Sequence, residues 1–524
     1  MPQLPMLAAQ APLATGPHLF PARGAFRILL LSLLFTAAFG IRLYRIGDPP
    51  LDFHPVRQYR AALLARAMYF ERSQLVSEEQ RVRAEASKPQ LLEAPIMEHL
   101  AVKIYQIAGG ETLVGARLIS IICWMIGGIF LYRLARLLLS ADASIVSTAF
   151  YLFLPFGLSA SRSFQPDSLM VMLLIATVES LTSYRLKSSI SKLCITTALA
   201  ALAILVKPVC IFPIWLTFLV TGSAEKGFRS NLRDARLYAF LALSLLPTLL
   251  FYGYQLFVSN ALKQQANGSF LPALLAEPYY WRGWLYLAFT VIGYGALSVV
   301  MLGVVLARSG LLRTLFLGLW GGYLIFGLVF TWHSHTHNYY HMMLIPVAAL
   351  SLAAASEVVL HSLASLPRYR ALIAKAVVAF ALLPSFYEAR HNFVVPDWQS
   401  QIAIWESIGE WVGHSSNTIM FVEGYGMALQ YHARIAGSVW PSSGDLRFAT
   451  LNGGHPVRGK ELLDKLIFET APSYFIVTRN IIVNELDKAG AQTDLKAALA
   501  AYPILVATKD YEIYELGRTH GGVE

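Results

Sequence analysis

Charge is scarce in this chain and cysteine is nearly absent. Only 14% of the 524 residues are Asp, Glu, Lys or Arg, and three are cysteines. Cys123, Cys194 and Cys210 all fall inside apolar stretches, where a thiol behaves as a small hydrophobe, so neither a disulfide framework nor a cysteine-ligated metal is expected. Acids are rarest of all within those stretches, Glu179 being the main one. No glycine-rich nucleotide fingerprint and no zinc-type spacing occurs. The Pro- and Ala-rich first 26 residues have no basic start, short apolar run and small-residue cleavage site, so a removable secretory leader is not expected and the first apolar stretch reads as an anchor behind a disordered tail. The net charge of +10 is not gathered into a basic, aromatic face, which removes nucleic acid as a partner.

What is present is hydrocarbon. The chain is 56% hydrophobic with a mean hydropathy of +0.51, and about 20 apolar residues make one helical crossing of a bilayer. About eleven candidate spans run over 27–46, 115–139, 143–160, 168–186, 193–206, 209–222, 237–258, 284–306, 313–331, 342–365 and 371–388. With the N-terminus in the cytoplasm, Arg23 and Arg27, Arg133 and Arg136, Arg185 to Lys192, Lys226 to Arg236, Arg308 and Arg313, and Arg368 to Lys375 all fall on the cytoplasmic side. The expected fold is a membrane all-α bundle over 27–388, with an outer loop at 47–114 and a soluble α/β domain over 389–524 on the outer side. In the outer loop, ARAMYFERSQLV and PIMEHLAVKIYQIAG carry helical spacing and read as amphipathic interfacial helices. In the C-terminal part, TIMFVE, SYFIVT, ILVATKD and YEIYEL read as strands among helical patterns.

Five segments expected on the outer face could carry chemistry. In SFQPDSLMVM, Asp167 opens the fourth span after Arg162; it is either a carboxylate that positions a substrate or proton, or a helix cap favoured by the dipole. In DPPLDFHPVRQYR, Asp52, His54, Arg57 and Gln58 set acid, base and cation side by side, unless this is an interfacial loop whose arginines meet lipid phosphates. EAPIMEHL supplies Glu93 and Glu98. Lys207 interrupts an apolar run, and either snorkels to the interface or binds a lipid-linked phosphate. WHSHTHNYYHMMLIP brings His337, Tyr340 and His341; the two-residue spacing of its histidines suits a metal poorly, which leaves hydrogen bonding to phosphate or sugar, or an aromatic belt.

These segments, in this order, resemble polytopic membrane glycosyltransferases of the GT-C class, family 39, the protein-mannosyltransferase and aminoarabinose-transferase-like group. The resemblance covers about 27–350 and rests on ALLARAMY, APIMEHL, ARLISIICWMIGGIFLYRLARLL, SRSFQPDSLMVMLL, LVKP and HNYYHMMLIPVAAL. It implies inverting transfer of a sugar from a polyprenyl-phosphate donor to a glycan, lipid or protein acceptor on the outer face of a bacterial inner membrane. No cofactor is indicated by the residues, and a divalent metal is left open. The resemblance also implies an acid in the first outer loop as base and a second at the fourth span. Asp167 matches the second station. Family members carry Asp-Glu directly before the Tyr-Tyr-x-Leu-x-Ala-Arg stretch, where this chain has Arg57 and Gln58, so the base is Asp52, His54 or a group from elsewhere in the fold, with Asp52 the first candidate. Arg57, Arg162, Lys207, His337 and His341 are the candidate phosphate ligands, with Gln58, Glu93, Glu98 and Tyr340 beside them. The competing class is a lipid or glycolipid transporter or flippase, whose charges would line a pathway through the membrane, but the scarcity of acids inside the spans opposes it.

Overall fold

The computed structural model describes residues 24–259, 270–307, 310–364, 369, 372, 398–451, 453–486 and 492–517. The chain divides into two compact units, each drawn from separated segments. A helical unit takes Met1–Ile46, Leu91–Ile96 and Arg117–Val394; a mixed unit takes Gly47–Gln90, Met97–Ala116 and Val395–Glu524.

Among the described residues seven helices are long and apolar enough to cross a membrane: Gly24–Leu43, Leu113–Leu138, Asp167–Leu186, Pro208–Lys226, Ala235–Phe257, Gly310–Val329 and Asn338–Leu360. Pro278–Ile292 and Tyr294–Leu306 make an eighth if counted as one span, though they meet at 94°. The expected count of eleven is not reproduced, for local reasons. Leu154 leaves helical geometry at ψ 125° ahead of Pro155, which splits the stretch 143–160 into Ala141–Phe153 and Pro155–Ala160. Gly293 at φ +90° breaks 284–306, a backbone conformation only glycine adopts freely. Ile190–Val206 is apolar but 17 residues long, and the stretch 371–388 lies outside the described residues apart from an isolated position.

The helices pack closely where side chains vanish. A Cβ on Gly318 would stand 2.4 Å from Thr217 Cα, and one on Gly322 would stand 2.3 Å from Pro213 Cα, so Gly310–Val329 lies almost backbone to backbone on Ile211–Lys226. Three buried arginines join the end of the first helix to the region before Asp167. Arg42 donates to Ser161 Oγ at 2.6 Å and to the Leu152 carbonyl at 2.9 Å. Arg117 donates to the carbonyls of Arg162 at 3.0 Å and Ile46 at 3.2 Å. Arg162 donates to the Arg45 carbonyl at 3.0 Å. Carbonyls exposed at helix ends are the acceptors a buried guanidinium needs.

In the mixed unit, strands β1 (Thr418–Phe421), β2 (Gly437–Val439), β3 (Tyr474–Thr478), β4 (Ile504–Ala507) and β5 (Tyr511–Glu515) form one sheet in the order β2-β1-β3-β5-β4. The first three are parallel, and β5 runs antiparallel to β3 and β4. Successive side chains leave a strand on opposite faces, so Ile419, Phe421, Phe475 and Val477 meet Leu463 and Leu495 on one side, while Met420, Ile476 and Ile513 meet Ile408 and Leu429 on the other. The helices Pro55–Arg72, Glu78–Ala86 and Ile96–Ala108 of the segment after the first span belong to this same unit.

Candidate functional site

Asp167 is fully buried at the first residue of Asp167–Leu186, with Pro166 in the cap position. Proline fits there because the first helical N–H groups have no intrahelical acceptor. The carboxylate therefore does not take the capping place that the sequence left open for it. Its Oδ1 instead accepts from Lys207 Nζ, 40 residues further on. Lys207 sits between Ile190–Val206 and the short turn Pro208–Cys210, where the proline stops the helix. At 2% exposure the amine does not snorkel to an interface. It lies instead over the rings of Tyr340, at 4.2 Å from the centroid, and Tyr339, at 4.8 Å. A carboxylate and two aromatic faces thus hold one amine inside an apolar bundle.

The histidine segment supplies the roof. The Tyr340 ring stands 4.9 Å from that of His333 and 6.2 Å from that of His337, whose Nδ1 meets Thr336 Oγ1 at 2.6 Å. His341 is used differently. Its Nε2 is 2.9 Å from the Ser334 carbonyl, which can only accept, so Nε2 carries the proton and Nδ1 accepts from Tyr323 Oη at 2.7 Å. Trp284 Nε1 donates to that same hydroxyl at 3.0 Å. With both nitrogens engaged inside the protein, His341 holds the fold of the segment and has no N–H left over for a phosphate. Gln165, fully buried two residues before Asp167, has no hydrogen-bond partner for either amide atom among the described residues. The sequence reading passed over it, although it lies inside the SFQPD block.

The other predicted acid cluster belongs to the mixed unit. Asp52, Phe53 and His54 form the turn before Pro55–Arg72, and His54 is the cap residue in left-handed geometry at φ +43°. A residue ahead of proline is normally extended, so this is strained backbone of the kind that collects at functional sites. Gln58 is fully buried, and its amide donates to the Phe53 carbonyl at 2.7 Å and to Asp52 Oδ1 at 3.3 Å. It therefore orients the Asp52 carboxylate from within. Asp52, His54 and Arg57 are half-buried. Glu98 lies in the first turn of Ile96–Ala108, where the helix dipole favours an acid, while Glu93 belongs to the helical unit. No group of three or more His, Cys, Asp or Glu among the described residues could hold a metal ion.

A further network in the mixed unit was not legible. Arg66 Nε reaches both oxygens of Glu111 at 2.9 and 3.0 Å, its Nη1 donates to the Tyr431 carbonyl at 2.8 Å, and its guanidinium lies 3.8 Å from the Tyr431 ring centroid. Tyr431 Oη donates to Glu111 at 3.1 Å. Beside it Tyr59 Oη meets His432 Nε2 at 2.9 Å, and the Trp405 ring stacks on the imidazole at 5.5 Å. Burial, and after it repulsion from Arg66, push the His432 pKa down to about 4. Tyr431 and His432 lie 320 to 373 residues from Glu111, Arg66 and Tyr59, and no local spacing announces these pairings.

Residues 92–252 match the sequence profile of the dolichyl-phosphate-mannose-protein mannosyltransferase family. No curated protein matches the chain by sequence. Among solved structures, the oligosaccharyltransferase of Archaeoglobus fulgidus in the apo form superposes with a TM-score of 0.59 at 12% identity, over 92% of this chain and 73% of that one. ArnT from Cupriavidus metallidurans in the apo state superposes with a TM-score of 0.56 at 15% identity, over 92% of this chain and 97% of that one. The same ArnT bound to undecaprenyl phosphate gives 0.55 at 13% identity, over 94% and 98%. This chain therefore has the fold of these membrane transferases: a multi-pass helical bundle joined to a small sheet-containing domain.

Proposed function

We propose that this chain is an integral membrane glycosyltransferase, moving a sugar from a polyprenyl-phosphate donor to a hydroxyl of a glycan, lipid or protein acceptor on the outer face of the membrane. The observation that carries this reading is the Asp167–Lys207 pair under Tyr340. It is a cation fixed in an apolar bundle, at the place in the chain where the match to the mannosyltransferase profile falls. The shared fold supports it, since ArnT binds undecaprenyl phosphate and the archaeal AglB binds a dolichol-phosphate. The transporter reading draws no support from these likenesses, which are transferases.

In the proposed reaction the bond from the anomeric carbon to the phosphate oxygen breaks, and its electron pair leaves with the phosphate. The acceptor oxygen bonds the same carbon from the opposite side and gives up its proton. Lys207 meets the growing phosphate charge, with Arg162, His337 and Arg57 as further candidate ligands, while Asp167 and the tyrosine rings hold the amine in place. Asp52 takes the acceptor proton, with His54 as the second candidate, and Gln58 fixes the carboxylate's direction. Lys and Arg asymmetry supports a cytoplasmic N-terminus in a bacterial inner membrane and an outward C-terminal domain, which then shapes acceptor choice.

The test is transfer of radiolabelled sugar from a panel of undecaprenyl-phosphate sugars by purified protein in detergent. Wild type, Asp52→Asn, Asp167→Asn and the paired Asp167→Asn/Lys207→Gln variant are compared. Transfer by wild type, with a loss of at least a hundredfold in folded variants, supports the reading. A wild type inert with every donor overturns it.

A further inference from the structure

The mixed unit contains a cavity of about 770 Å³ that has no residue of the Asp52 turn in its lining. Its walls come from Pro55–Arg72, Glu78–Ala86, the Gly109–Glu111 turn and the end of the helix Met427–Ala433. The volume lies within the range of small-molecule sites and far exceeds what one ion needs.

The lining has more donors than the protein consumes. Arg66 spends Nε and Nη1 on Glu111 and the Tyr431 carbonyl, and its guanidinium also meets the Tyr431 side chain, so it is held in place at the cavity wall. Arg434 is exposed on the cavity wall at φ +53°, and its guanidinium has no hydrogen bond or ion pair among the described residues. Arg83 is tied to Glu79 at 2.5 Å, but that carboxylate is 72% exposed and so easily exchanged for another anion. Tyr69 is only 6% exposed, and its hydroxyl has no partner among the described residues. Three arginines face two glutamates here, and Glu111 is already committed to Arg66 and Tyr431.

We propose that this cavity binds an anionic saccharide, a sugar unit bearing one carboxylate or phosphate. Arg434 and Arg83 take the anionic group, because guanidinium forks match planar or tetrahedral oxyanions. The Tyr69 hydroxyl contacts a sugar oxygen, and the apolar wall at Phe70 and Leu75 packs against the ring. Within the proposed transfer reaction this ligand is part of the acceptor. That one identification rests on the glycosyltransferase reading, whereas the site itself does not. Binding and transfer are measured separately, so the two fail separately.

The experiment is calorimetric titration of the full chain in detergent with glucuronate, glucose 6-phosphate, glucose and inorganic phosphate. Both acidic sugars are expected to bind at least tenfold more tightly than glucose and than inorganic phosphate. Arg434→Gln, which removes no structural contact, is expected to weaken them roughly tenfold, the cost of one charge-assisted hydrogen bond. Tyr69→Phe is expected to weaken them severalfold with folding intact. Equal binding of glucose, equal binding of inorganic phosphate, no binding of any probe, or indifference to Arg434→Gln each overturns the proposal.

Discussion

Removing one member of the Asp167–Lys207 pair strands the other charge, because Lys207 is 2% exposed and Asp167 not at all. Breaking a buried pair costs about 3–5 kcal/mol. Asp167→Asn alone is therefore expected to lower stability as well as transfer. Asp167→Asn with Lys207→Gln, which leaves no buried charge, should recover most of the thermal stability in detergent and none of the transfer. His432 offers a test in the mixed unit. Its folded pKa of about 4 lies below the ordinary 6.5, so the unfolded chain takes up a proton as pH falls through 6.5 and the folded chain does not until about 4. Stability is untouched by this group above pH 6.5 and falls across that window, by about 3 kcal/mol at most. Thermal unfolding at pH 4.5 and 7.5 should show a smaller difference in His432→Gln, whose amide still accepts from Tyr59.

Between Gly310–Val329 and Ile211–Lys226 the glycines are what allow contact. A Cβ at Gly322 meets Pro213 at 2.3 Å on backbone atoms that cannot swing aside. Gly322→Val should force these helices apart and cost on the order of 1–3 kcal/mol of stability. The strain falls next to the Pro208–Cys210 turn that follows Lys207, so transfer should fall further than thermal stability does. Helices of this kind were legible because a bilayer demands a long apolar run. Their breaks at Pro155 and Gly293 were written in the sequence too, but hydropathy runs straight through both. Strands β1, β3, β4 and β5 coincide with the four predicted runs, whereas β2, three residues flanked by a left-handed helix end, was too short to register. The candidate site was readable only by residue. That Asp167 and Lys207 are both unusual could be read from their surroundings, but that they satisfy each other could not, since the pairing depends on how two helices cross.

On the scale of the molecule, the C-terminal sheet shares its unit with chain that precedes the second span. Tyr59 bonds His432, Arg66 spans Glu111 and Tyr431, and a Cβ on Gly424 would touch Val56 at 3.1 Å. Residues 395–524 produced alone should thus be less stable than the same residues in the whole chain, with His432 and Tyr431 uncovered. Faster amide exchange over Met427–Ala433 in the fragment would show this, and equal protection would refute it. The arginine stitching has a consequence for synthesis. Arg42 is fully buried, yet its acceptors at Leu152 and Ser161 lie 110 and 119 residues downstream. The carbonyls of Arg45 and Ile46 likewise wait for Arg162 and Arg117. The ribosome delivers the first helix to the bilayer long before two of the acceptors of its guanidinium, Leu152 and Ser161, exist. That helix must then remain at the insertion machinery or reach back toward water until the chain past residue 162 has emerged. Nascent chains truncated before residue 152 should crosslink to that machinery, and those extended past 170 should be released from it.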